Sequence, residues 1–161
     1  MDELSAAPLQ GKIAIAVLLC ALAVSVVTDL RRRRILNAVT YPAMLACAAS
    51  VVWLGGLPLL ARSGVGVLIC AGPLAAASFR GWIGAGDVKL MAVVGIVSGA
   101  MAGWPFSLAI LFWVVIAGGL QAALWLVAAK VRGRERPRAV PYGVAIAAGT
   151  LWGLLAGPSL F

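Results

Sequence analysis

Residues 13–34 read IAIAVLLCALAVSVVTDLRRRR. Sixteen residues without a charge, Ile13 to Thr28, give way at once to an aspartate and then, after Leu30, to four consecutive arginines. A helix crosses a bilayer with about 20 mostly apolar residues. The stretch therefore predicts a membrane span that ends at Asp29 against a basic cytoplasmic boundary. Ahead of it stand Asp2 and Glu3 and a single base, Lys12. A cleavable secretory signal has the reverse charge order, so this segment reads as a retained first helix with its acidic tail outside the cytoplasm.

Outward from this stretch the same pattern recurs. Of the 161 residues, 63% are hydrophobic and 11% charged, which is more apolar surface than a soluble domain of this size can hide. Breaks in apolarity mark spans at about 12–29, 36–55, 64–80, 88–104, 106–129 and 141–158. The expected fold class is an all-α integral membrane protein, a bundle of about six transmembrane helices forming one domain over residues 1–161. The loops after spans one, three and five carry Arg31 to Arg34, Arg80 with Lys89 just beyond, and Lys130, Arg132, Arg134, Arg136 and Arg138, eleven of the thirteen bases. The other two loops hold Arg62 and nothing. The positive-inside rule then places loops one, three and five in the cytoplasm and both termini outside. The net charge of +8 is accounted for by topology and by anionic headgroups, so the bilayer is the expected partner and nucleic acid is not.

Histidine is absent, which excludes imidazole bases, Ser-His and Cys-His nucleophiles and the H-E-x-x-H zinc helix. Cys20, Cys47 and Cys70 lie singly in apolar runs with no C-x-x-C spacing, and read as buried small hydrophobes. No metal or cofactor is expected. Glycines recur every four residues at Gly95, Gly99 and Gly103 and at Gly149, Gly153 and Gly157. Each run makes a smooth helix face, for packing within the chain or for a seam between two copies. Pro73 is expected to kink the third span.

Five acids carry whatever carboxylate chemistry there is. Asp2 and Glu3 fall in the outer tail, and Glu135 sits among arginines where a solvated ion pair explains it. Asp29 ends span one and Asp87 begins span four, both at a cytoplasmic boundary. An acid at membrane depth costs a few kcal/mol and is a functional candidate by default. Each also has a structural explanation: an ion pair of Asp29 with Arg32 or Arg33 at i+3 and i+4, and an N-cap for Asp87 on the amides of Val88, Lys89 or Leu90. What sets the pair apart is Gly84-Ala85-Gly86-Asp87, where two glycines permit close backbone approach and present a carboxylate at a break.

These residues resemble the type IV prepilin peptidases. Asp29 followed by Arg31 to Arg34, Ile35 and Asn37 looks like their first-helix signature, Gly84 to Leu90 like their G-x-G-D-x-K segment, and Val140-Pro141-Tyr142-Gly143 like the opening of their final helix. The resemblance runs in order along essentially the whole chain. It implies an intramembrane aspartyl protease of the bacterial inner membrane that removes the short basic leader of pilin precursors at the cytoplasmic face, with Asp29 and Asp87 as the catalytic pair. Gly84, Gly86, Lys89, Pro141, Tyr142 and Gly143 are the supporting motif positions. Leu36 stands where the family commonly has proline, a position that shapes the turn. The chain also lacks the cytoplasmic insert with paired C-x-x-C motifs of the bifunctional members, so it looks like the small peptidase-only type linked to tight-adherence (Flp) pili.

Two carboxylates a few ångströms apart cannot both ionise easily and so share a proton. The ionised member then activates water while the protonated one bonds the scissile carbonyl. Helix dipoles favour charge on Asp87 at a helix start and disfavour it on Asp29 at a helix end, which makes Asp87 the expected base and Asp29 the acid. Lys89, two positions past Asp87, is expected to reach headgroups rather than the pair, with substrate contact as its alternative. The competing classes are a small proton-coupled transporter and a pilus-assembly scaffold whose acids only cap helices. With the native cysteines replaced, cysteines introduced beside Arg34 and Arg134 will be shielded from a membrane-impermeant thiol reagent in intact cells, and one beside Arg62 will react. The reverse labelling pattern puts the aspartates on the other side of the membrane.

Overall fold

The computed structural model describes residues 9–131 and 142–157. Among these the chain forms five helices: α1 (Leu9–Arg32), α2 (Asn37–Phe79), α3 (Ala85–Ala102), α4 (Trp104–Val131) and α5 (Tyr142–Ala156). Four of them, α1 to α4, are long and apolar enough to cross a bilayer, while α5 is apolar but shorter. The fold is that of an all-helical membrane protein.

The sequence leads one to expect six spans, and the difference arises in α2. At 43 residues a straight helix would run about 65 Å, twice the hydrocarbon thickness. It is not straight. Gly55 (φ −149°, ψ 17°) and Gly56 (φ 65°, ψ −159°) leave helical geometry, and a positive φ with extended ψ is open to glycine alone. The contacts show that the chain doubles back there. Asn37, at the start of α2, meets Lys89 near the start of α3. Beyond the glycines, Gly66 and Arg62 face Gly95 and Gly99 in descending order as α3 ascends, so the second limb returns antiparallel to α3. A two-residue break thus replaces the expected loop at 56–63. Pro42, Pro58 and Pro73 all lie within helical backbone, and the one departure from it in α2 is at the glycines rather than at Pro73.

Helix α3 is the axis of the bundle. Ten successive residues, Leu90 to Gly99, are buried, as expected of a helix apolar on every side and surrounded by others. Large side chains such as Leu45, Trp53 and Leu68 point outward. Lipid tails are as apolar as a protein interior, so the helices gain by fitting closely rather than by escaping water. Gly66, Gly95 and Gly99 let the second limb of α2 and α3 meet backbone to backbone, and Gly149 and Gly153 do the same for α5 on Val114 and Ile110 of α4. Both glycine faces are thus covered from within the chain. Gly103 and Gly157 belong to neither face; with φ of 78° and 70° they end their helices.

A small polar knot ties the same helices together. Ser98 and Ser107 share a hydrogen bond of 2.8 Å, and the Cys70 thiol donates to the Ser107 carbonyl at 3.4 Å. Each such bond between membrane helices contributes roughly 0.6 kcal/mol. Cys47 is buried as well, its thiol directed to the Ala14 carbonyl, but Cys20 is exposed on the outer face of α1, against the expectation that all three are buried. A Cβ at Gly95 would lie 2.6 Å from the Gly66 carbonyl oxygen and from the Val67 Cα, and backbone cannot yield. Gly95→Ala will therefore lower unfolding stability in detergent by about 1–3 kcal/mol. Gly64→Ala, with nothing within 4 Å, will be neutral or stabilising by up to about 1 kcal/mol.

Candidate active site

Three helix ends converge on one place: the last turn of α1 and the first turns of α3 and α5. Helix α1 closes when the Arg33 amide donates back to the Asp29 carbonyl at 2.8 Å. Arg33 takes a left-handed φ of 51° to do so, a conformation that costs a non-glycine residue about 1–2 kcal/mol. The turn sends Ile35 onto α3, where its Cβ would lie 2.8 Å from a Cβ at Gly86. Glycine at 86 is what allows this approach. The connection between α1 and α2 therefore lies directly on the start of α3 and brings Asp29 and Asp87 to the same end of the bundle.

Asp29 is buried, 6% exposed, and its Oδ2 accepts a 2.8 Å hydrogen bond from the Gly143 amide. Gly143 lies in the first turn of α5, where backbone N–H groups have no partner within their own helix and point at an anion. A Cβ there would sit 2.8 Å from the same oxygen. The Asp29 side chain thus turns to α5, whereas Arg32 and Arg33 are exposed, and the expected ion pair is not what holds it. Asp87 is not an N-cap either. Gly84 occupies that position, and Asp87 sits three residues on, its carboxylate bonded by the Gly84 backbone. This is the reach-back half of a capping box.

The Asp29 carboxylate lies near enough for its charge to act on Asp87 directly, and Asp87 acts in turn on the Tyr142 hydroxyl. Tyr142 fills the space that Gly118 leaves open on α4. The structure thus brings Asp29, Gly84, Gly86, Asp87, Tyr142 and Gly143 to one place. Pro141 and Glu135, with Asp2 and Glu3, lie outside the described residues. Two sequence expectations change. The dipole argument for Asp87 as base counted a helix start for Asp87 alone, but α5 supplies another to Asp29, so the asymmetry it rested on is gone. Lys89 is held by α2: its Nζ donates to Asn37 Oδ1 at 2.7 Å and stands 4.9 Å from the centre of the Tyr41 ring. Tyr41 was invisible to motif reading. Its one signal is the i, i+4 spacing from Asn37, which puts both on one face of α2.

The chemistry open to this arrangement is that of two coupled carboxylates. Among the described residues no three of His, Cys, Asp and Glu gather about a point where an ion could bind. Gly143→Ala will push Asp29 from its donor and lower stability by about 1–3 kcal/mol, while Gly119→Ala, next to Gly118 on α4 but facing open space, will not; thermal unfolding in detergent separates the two.

The chain matches the model of the type IV leader peptidase family over residues 16–123, a segment that includes both aspartates and stops short of α5. No curated protein and no solved structure matches it. With two thirds of its length matched, the chain belongs to the type IV leader peptidase family.

Proposed function

We propose that Asp29 and Asp87 are the catalytic pair of an aspartyl endopeptidase. The observation that carries this reading is the convergence of α1, α3 and α5, which sets a buried Asp29 in electrostatic reach of Asp87 at the edge of a membrane bundle. One proton is shared by the pair. The ionised carboxylate takes a proton from water as the water oxygen attacks the scissile carbonyl carbon, and the protonated partner gives its proton to the carbonyl oxygen. The resulting gem-diol collapses: the C–N bond breaks, the amide nitrogen takes a proton from the carboxylate that received it, and a diol proton returns to the other. Atoms balance, and the pair ends as it began.

The substrate we assign is a type IV, Flp-like pilin precursor, cut at the cytoplasmic face of the bacterial inner membrane between a short basic leader and the apolar segment that follows. Family membership supports a leader as the piece removed. The charge distribution supports the cytoplasmic side. An aspartate pair at the end of the bundle suits a bond just outside an apolar helix seated in the bilayer. We further propose that no methyl group is added to the product. Ten residues separate α4 from α5, too few to fold into a site for a methyl donor.

Co-expression of the chain with a candidate precursor tests these points in one preparation. Asp29→Asn and Asp87→Asn will each abolish leader loss on a gel while the protein still inserts in the membrane, because an amide keeps the shape and cannot relay a proton. Mass spectrometry of the mature product will find an unmethylated N-terminus. Cleavage that survives both single substitutions rules out the aspartate mechanism, and a methylated end rules out the peptidase-only assignment.

A further inference from the structure

Lys89 is the charged group beside the aspartates that the proposed chemistry leaves unused. Its two partners both belong to the start of α2. Asn37 opens the helix after Leu36, an N-cap with no side-chain bond to hold it, and Tyr41 follows one turn later on the same face. An ammonium only donates, so Asn37 must present its oxygen, and the 2.7 Å separation is that of a charge-assisted bond. The Tyr41 ring takes the same cation on its face.

This contact does not stand alone. Ile35, two residues before Asn37, rests on Gly86, three residues before Lys89. The two contacts are successive rungs between one connection and one turn of α3, with Asp87 between them. The chain that runs back from these rungs through the Arg33 turn is the chain that carries Asp29. A lysine that served headgroups would extend its ammonium away from the bundle; here an amide oxygen and an aromatic face of the neighbouring helix hold it.

We propose that Lys89 is a positioning residue for the aspartate pair: by holding Asn37 and Tyr41 it fastens the start of α2 to α3 and sets the separation of Asp29 from Asp87. The proposal rests on the aspartyl reading above, and its test keeps the two distinct.

The full chain is assayed in membranes against a precursor, with thermal unfolding followed for every variant. Lys89→Met lowers kcat between about tenfold and a hundredfold, the range that misplacing reactive groups by an ångström produces, with KM within about twofold. Asn37→Ala also lowers kcat, and the double variant is no worse than Lys89→Met alone, because both remove one interaction. Lys89→Arg, which keeps the donor and the cation over the ring, restores most of the loss. A rise in KM at constant kcat assigns Lys89 to substrate and overturns the proposal. So does full activity in Lys89→Met, a double variant whose losses multiply, or Lys89→Arg as poor as Lys89→Met. If Lys89→Met does not fold, Asn37→Ala and Tyr41→Leu carry the same test, and normal kcat in both is equally fatal. Activity of Asp29→Asn and Asp87→Asn is read separately: cleavage that survives both removes the aspartyl reading itself, whatever Lys89 does.

Discussion

A carboxylate carried to membrane depth must be given a hydrogen-bond donor, and in this protein Asp29 receives one from the backbone of another helix. The 2.8 Å bond from Gly143 explains much that surrounds it. It requires the first turn of α5 to face the last turn of α1. It requires residue 143 to have no side chain, since the carboxylate occupies that place. It also requires α5 to be held at the right height, which Gly149 and Gly153 accomplish by seating the helix on α4. A side-chain cation would have met the same electrostatic need, and four arginines stand nearby. The backbone amide does so without putting a second charge, with its own desolvation cost, into the site.

The aspartates themselves sit on elements whose placement follows from close contact rather than from charge. Helix α3 is buried through its middle, Leu90 to Gly99, and its glycines admit the second limb of α2 to backbone distance. In a bilayer such contact is the principal stabilisation available, and it leaves little freedom for sliding. The start of α3, and Asp87 with it, is therefore fixed by packing some turns away. The α1–α2 connection is then laid on that fixed point at Gly86 and Lys89.

How far the sequence could be read depended on what each feature needed. Asp29 and Asp87 were legible because acids are so few and because a charge at membrane depth is conspicuous. The membrane class and most span positions followed from apolar runs alone. The doubling back of α2 was legible only as a break, since a glycine pair between apolar runs does not say whether a loop or a two-residue hinge joins them. Gly143 was recognisable by resemblance, but its bond to Asp29 spans 114 positions, and no local pattern encodes it. The dipole asymmetry behind the choice of base disappears for the same reason: the helices to which the aspartates belong do not reveal the one that docks against Asp29. From its own helix Lys89 is legible only as a residue on a face other than that of Asp87, whereas its partner Asn37 lies 52 positions away.

The reliance of Asp29 on α5 has a consequence for biosynthesis. Chains grow at about 5–20 residues per second and fold as they emerge. Asp29, Asp87 and everything in α1 to α4 are made before the Gly143 amide exists. Until α5 arrives, the nascent bundle holds a carboxylate whose designated donor has not been synthesised, and Tyr142 has not yet filled the space beside Gly118. The helix made after the others closes the site of the one made before them, so a chain arrested or cut short in the basic connection between α4 and α5 carries both aspartates without the arrangement that makes them a pair.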